Sequence, residues 1–66
     1  MTGIVKHYSA KNGYGFINAN DITNIFFHCS MLDSSTLRNK IKAGNVVTFT
    51  LVATERGLQA ESVKVQ

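Results

Sequence analysis

The chain has 66 residues, of which 44% are hydrophobic and 17% charged, and its formal net charge is +3 at pH 7. This length predicts one domain spanning residues 1–66, and the low charged content is not typical of a disordered segment. There is no apolar run of 18 residues and no secretion-signal pattern, so neither a membrane span nor export is predicted. The single cysteine, Cys29, has no partner for an internal disulfide, which favours a reducing, cytoplasmic environment. The basic excess fits a polyanionic partner but does not identify one.

The first half of the sequence predicts three consecutive strands separated by turns. The predicted strands are Gly3–Ser9, Tyr14–Asn18 and Ile25–Cys29. Asn12-Gly13, between the first two strands, is a strong hairpin signal. The polar run 18–21 is rich in residues that bond their own backbone, and it predicts the second turn. These strands are expected to form an antiparallel meander.

The second half predicts two more strands after a long connection. Ser30 is expected to cap a short helical turn over Ser30–Asp33, and the rest of the segment up to Gly44 is a polar connection. Strands are predicted at Val46–Val52 and Leu58–Val65, on either side of a turn. In the last strand the expected inward positions are Ala60, either Ser62 or Val63, and Val65.

Five strands in this order predict an all-β protein. The architecture that fits the count is a five-stranded antiparallel Greek-key barrel, the OB-fold, because closure removes the exposed edges of an open sheet. An SH3-like barrel is the structural alternative.

An aromatic stripe on the second and third predicted strands is the most informative pattern of the chain. Side chains alternate between the faces of a strand, so Tyr14 and Phe16 share one face, and Phe26 and His28 share one face. The opposite faces carry residues that suffice for a core, namely Ile17, Ile25 and Phe27. Aromatic side chains left outside the core form a platform for flat ligands, and unpaired bases are such ligands. The stripe therefore predicts binding of single-stranded nucleic acid.

The spacing of these blocks resembles that of the bacterial cold-shock proteins over almost the whole chain. Gly13–Ile17 resembles the family's first ribonucleoprotein motif, and Ile25–His28 resembles the second. Gly44–Phe49 and Arg56-Gly57 match two later blocks of the family pattern. The resemblance implies an OB barrel that binds single-stranded RNA and/or DNA and melts weak RNA structure. It also implies that the protein needs no cofactor and catalyses no reaction.

The resemblance and the aromatic stripe together give a set of expected nucleic-acid contacts. The expected residues are Lys6, His7, Tyr8, Lys11, Tyr14, Phe16, Phe26, His28 and Arg56. The aromatic members and His28 are expected to stack on bases, and the cationic members are expected to hold the phosphate backbone. For His7, stacking and simple exposure remain open.

Several ligand-facing positions depart from the family pattern. The family has Lys-Trp-Phe where this chain has Lys6-His7-Tyr8. At four later places the family has, in chain order, a lysine, an aromatic residue, an exposed phenylalanine and a proline. These places hold Asn12, Cys29, Leu37 and Leu58. Stacking of one base on an aromatic side chain is worth about 1–3 kcal/mol, so binding more than about tenfold weaker than the family norm is expected.

The departures leave a second hypothesis open. The aromatic surface could serve as a protein-interaction module, including a homodimer formed by strand exchange through the 30–44 loop. An enzyme has almost no support, because the sequence contains no phosphate-binding glycine loop, paired-carboxylate motif or convincing zinc-ligand spacing.

Overall fold

The structure is a computed structural model, and it describes residues 1–34, 36 and 40–66. Within these residues the chain forms five strands and one short 3₁₀ turn, Cys29–Met31. The strands are β1 Thr2–Ser9, β2 Tyr14–Ala19, β3 Ile22–His28, β4 Val46–Thr54 and β5 Gly57–Val65. No helix in this described part is long and apolar enough to cross a membrane.

The five strands close into a barrel in the order β1-β2-β3-β5-β4, with β4 paired back onto β1. This closure confirms the predicted five-stranded barrel and its β1-β2-β3 meander. Four of the five pairings are antiparallel, and the pairing of β3 with β5 is parallel, at Phe26 and Gln59.

Cross-strand register divides β1, β2 and β3 into rungs that alternate between the core and the outer surface. The inward rungs are Val5–Ile17–Ile25 and Tyr8–Gly15–Phe27. The outward rungs are His7–Phe16–Phe26 and Ser9–Tyr14–His28. The alternation in β2 and β3 is the one that the sequence predicts.

The core draws on all five strands and on one residue outside them. Its buried members are Val5, Ile17, Ala19, Ile25, Phe27, Ile41, Val47, Phe49, Ala60 and Val63. Phe27 and Phe49 are buried as expected. Ile41 lies in the segment that the sequence analysis treated as a polar connection, so this connection contributes to the core as well.

A bulge in β1 changes which of its side chains face outward. Val5 pairs with Ile17, but His7 pairs with Phe16, so Lys6 is an extra residue opposite β2. An extra residue bends a strand and shifts the alternation of all side chains that follow it. Lys6 and His7 are therefore both exposed, and Tyr8 turns towards the core.

A second irregularity in β5 settles a question that the sequence left open. Thr48 pairs with Lys64 and Thr50 pairs with Glu61, so two residues of β5 lie opposite Phe49. Ser62 takes a left-handed conformation there, with φ of 53°. Val63, and not Ser62, consequently joins Ala60 in the core.

The segment after β3 differs in detail from the expectation. The prediction that Ser30 caps the helical turn is wrong, because the cap of the Cys29–Met31 turn is His28. Leu32 forms a parallel bridge with Val63, which ties the segment to β5. Leu37, expected near the ligand surface, lies outside the described residues.

Candidate nucleic-acid interface

Three aromatic side chains meet on the outer surface of β2 and β3. The ring centroids of Tyr14, Phe16 and Phe26 are 5.9–6.0 Å apart in all three pairs. Tyr14 and Phe26 are stacked at 26°, whereas Phe16 meets both rings edge-on, at 87° and 67°. These geometries are favourable for aromatic pairs and order the rings without burying them, since all three remain half-buried. We call this cluster the aromatic platform.

Gly15 allows the barrel wall beneath the platform to pack closely. A Cβ atom at Gly15 would fall against the His7 carbonyl oxygen and 2.9 Å from Cζ of Phe27. The absence of a side chain therefore lets β1 and the Phe27 ring approach β2 directly. Aromatic residues and glycine therefore alternate for two reasons: the aromatic rings lie on the outer face, and glycine allows close packing on the inner face.

His28 extends the platform at the end of β3, where it lies directly opposite Tyr14. Its Nδ1 atom accepts a hydrogen bond from the Ser30 backbone N–H at 3.1 Å, which caps the following turn. In a neutral imidazole whose Nδ1 accepts, the proton resides on Nε2. The exposed His28 ring thus offers a flat face and an N–H donor to a ligand.

A cleft of about 330 Å³ borders the platform. Phe16 and Phe26 form its aromatic wall, and Asn24, Arg56 and Gln59 form its polar rim. Arg56 is one of the residues expected from the sequence, and the structure brings it to this cleft. Asn24 and Gln59 are not among the residues that the sequence predicts for the interface. Gln59 reaches the cleft through the parallel pairing with Phe26, a contact between distant segments that no local pattern signals.

Lys6 and Asn24 form a hydrogen bond at the edge of this cleft. Lys6 Nζ donates to Asn24 Oδ1 at 2.9 Å, and the Asn24 backbone N–H donates to Asn18 Oδ1 at 3.0 Å. An ammonium group is only a donor, so the amide oxygen must be the atom that faces Lys6. Asn24 is therefore left with its Nδ2 amide group, a donor, to offer to a ligand.

The remaining expected residues fall into two groups. His7 is exposed in the same rung as Phe16 and Phe26, and Lys11 is exposed in the turn between β1 and β2. The structure does not bring Tyr8 to the platform, although the resemblance and the sequence pattern predict it there. Tyr8 stacks on Phe27 with centroids 5.6 Å apart and planes 8° apart, on the inner side of the sheet. We correct its role to packing, and the β1 bulge is the reason.

The charge around the platform is positive. Lys6, Lys11 and Arg56 are all exposed, and among the described residues no carboxylate lies in the outward rungs or lines the cleft. The described residues also include no group of three or more His, Cys, Asp or Glu side chains placed to hold a metal ion. The surface is thus suited to an anionic ligand that carries flat rings.

Comparison with known proteins agrees with this geometry. Residues 1–66 match the family model described as the 'Cold-shock' DNA-binding domain. The chain is 37% identical over 65 residues to a cold shock-like protein of Thermotoga maritima, covering 98% of this chain and 97% of that protein. It is 35% identical over 67 residues to Y-box-binding protein 1 of Xenopus laevis, covering 96% of this chain but only 22% of that protein.

The structure resembles a solved chain described as drosophila Unr CSD456, with a TM-score of 0.74 and 28% sequence identity. The match covers 98% of this chain and 26% of the solved one. Family model, relatives and structural likeness agree over nearly all of the 66 residues. The chain belongs to the cold-shock domain family, whose members bind nucleic acids.

Proposed function

We propose that this protein binds single-stranded RNA or DNA by stacking unpaired bases on the aromatic platform, and that it acts in the cytoplasm as an RNA chaperone. The observation that supports this most is the outward cluster of Tyr14, Phe16 and Phe26, held at mutual distances of 5.9–6.0 Å. Rings that a protein orders but leaves half exposed are suited to receive another flat ring.

The proposed mechanism needs no reaction and no cofactor. Each stacked base contributes about 1–3 kcal/mol, and every base has a π-face, so binding tolerates many sequences. Lys6, Lys11 and Arg56 neutralise phosphates along the bound strand, and the Nε2–H group of His28 donates to a base or phosphate acceptor. Binding to the unpaired form alone shifts a weak hairpin towards its open state by mass action.

The test is a fluorescence-anisotropy titration of labelled heptameric oligo-U and oligo-dT at two salt concentrations. Replacing Phe16→Ala removes one ring of the platform, and we expect it to weaken binding by about 5- to 150-fold. Val46→Ala is the matched control, because Val46 is an exposed apolar residue, 41% accessible, away from the platform. Far-UV circular dichroism verifies that both variants are folded.

Two results would contradict the proposal. Equal affinity of wild type and folded Phe16→Ala would show that strands bind elsewhere. No binding of either oligonucleotide at tens of micromolar would favour the alternative, a protein-interaction or self-associating module. A mass measurement by light scattering would then test for the dimer that this alternative includes.

A further inference from the structure

The turn between β4 and β5 carries an acidic and a basic side chain next to each other. Thr54 and Gly57 are cross-strand partners, so the turn between them consists of Glu55 and Arg56. Of these two, only Arg56 lines the cleft beside the platform. A carboxylate in the same place would repel the phosphates of a bound strand. The geometry of this short turn therefore decides whether the cleft attracts or repels nucleic acid.

The hydroxyl group of Thr54 makes two hydrogen bonds across the turn, to the backbone of Arg56 and of Gly57. Thr54 Oγ1 accepts a hydrogen bond from the Arg56 backbone N–H at 3.2 Å. The same hydroxyl donates its own proton to the Gly57 carbonyl oxygen at 2.7 Å. A hydroxyl can do both at once because it has one proton and two lone pairs. Thr54 Oγ1 thus fixes the backbone on both sides of the Arg56 Cα atom, at its own N–H and at the carbonyl group of the next residue.

Gly57 completes this arrangement. Its φ of 116° lies in a region that favours glycine, whereas neither Glu55 nor Arg56 is among the described residues with positive φ. A hairpin turn of this kind restores the strand twist through the glycine that follows it. The turn itself is exposed, so packing does little to fix its conformation.

We propose that Thr54 is a positioning residue for nucleic-acid binding, because its hydroxyl holds the turn in the geometry that directs Arg56, and not Glu55, to the cleft. This inference rests on the proposed function. Without the hydroxyl the turn samples other conformations, and the bound strand must select the productive one. Loss of two modest hydrogen bonds in an exposed turn corresponds to binding about 3- to 10-fold weaker.

The test combines two substitutions in a double-mutant cycle. Thr54→Val removes the hydroxyl and keeps the shape, and Arg56→Gln removes the charge. Oligo-U binding is titrated over a series of salt concentrations for wild type, both single variants and the double variant. Arg56→Gln should lower the slope of log affinity against log salt by about 0.7, the value for one phosphate contact on a single strand. Thr54→Val should reduce the same slope in part.

The energetic coupling between Thr54 and Arg56 decides whether the hydroxyl acts through Arg56. Thr54→Val should weaken binding about 3- to 10-fold in the wild-type background and have no further effect in the Arg56→Gln background. Thr54→Ser, which keeps the hydroxyl, should bind as the wild type does. Thr50→Val, at an exposed threonine of the same strand, is the matched control and should also leave binding unchanged. Thr54→Ala replaces the valine variant if that variant does not fold.

Three outcomes overturn the inference. The first is unchanged binding by folded Thr54→Val, and the second is an equal loss in both backgrounds. The third is wild-type affinity and salt slope in Arg56→Gln, which would show that Arg56 does not contact the strand. If Phe16→Ala still loses binding, these outcomes refute only the inference about the β4–β5 turn, and the proposed function stands. If the wild type binds no oligonucleotide, the proposed function fails and the inference fails with it.

Discussion

The Tyr8 side chain offers a test of the fold and of the interface at once. Its ring packs on Phe27 beneath the sheet, and its hydroxyl oxygen is buried with no hydrogen-bond partner among the residues that the structure describes. A buried hydroxyl without a partner loses its hydration and gains nothing in return, at a cost of about 1–3 kcal/mol. Tyr8→Phe removes that hydroxyl and keeps the stacked ring.

We expect Tyr8→Phe to raise the free energy of unfolding by about 1–2 kcal/mol, since the one-atom gap that it leaves offsets part of the gain. For a domain of this size, 1 kcal/mol corresponds to a shift in Tm of roughly 4–8 °C. Urea unfolding followed by circular dichroism, together with a thermal melt, measures both quantities. The control is Tyr14→Phe, because Tyr14 lies on the half-exposed platform, and its change should stay within about 0.5 kcal/mol.

The same variant tests where Tyr8 lies relative to the ligand. Because the ring faces the core, Tyr8→Phe should bind oligo-U with unchanged affinity. A less stable variant would mean that the hydroxyl has a hydrogen-bond partner in the folded protein. Weaker binding by a Tyr8→Phe variant that is at least as stable as the wild type would refute the inward placement of Tyr8. It would also refute the reversal of side-chain alternation at the β1 bulge.

Two further predictions concern the close packing under the platform and the edge of the cleft. Gly15→Ala should lower the free energy of unfolding by about 1–3 kcal/mol, because the new Cβ would lie 2.9 Å from Cζ of Phe27; a urea midpoint equal to that of the wild type would contradict this. The wild type should bind oligo-U about 3- to 10-fold more tightly than oligo-C, because uracil has a carbonyl acceptor for the Asn24 Nδ2 donor where cytosine has an amino donor. Asn24→Gly should lose this preference for oligo-U. Asn20→Gly is the control, because the φ of Asn20 (55°) is nearly that of Asn24 (57°), and it should keep the preference. An equal preference for oligo-U over oligo-C in both variants would count against Asn24.

The platform was predictable because β2 and β3 pair in simple alternation where it forms. Tyr14, Phe16, Phe26 and His28 lie on one face, as the period of two requires. The inner positions of the same strands are strongly apolar, which fixes the register, since a slip by one residue would place that apolar set in water.

The role of Tyr8 was not predictable from the same rule. The period of two places Tyr8 on the side of Lys6, and the bulge between Val5 and His7 reverses this. β1 pairs with β2 on one side and with β4 on the other. The Val5 carbonyl accepts from the Gly44 N–H at 2.8 Å, and the Val5 N–H donates to the Asn45 carbonyl at 2.9 Å. A strand that joins two neighbours in a small closed barrel must bend, and bulges provide that bend.

The amino-acid sequence by itself determined the five strands and the aromatic face of β2 and β3, because these follow from local alternation and turn chemistry. The tertiary structure alone decided that Gln59 pairs with Phe26, that Lys6 bonds Asn24, and that Arg56 lines the cleft beside Phe16 and Phe26. The contacts of Gln59 and Asn24 join segments far apart in the sequence, and closure of the barrel places the β4–β5 turn beside the platform. The hydrogen bonds of the Thr54 hydroxyl are local to that turn. Local alternation specifies which face a residue occupies where strands pair without a bulge, but only the closed barrel specifies where the bulges lie and which residues face each other across strands.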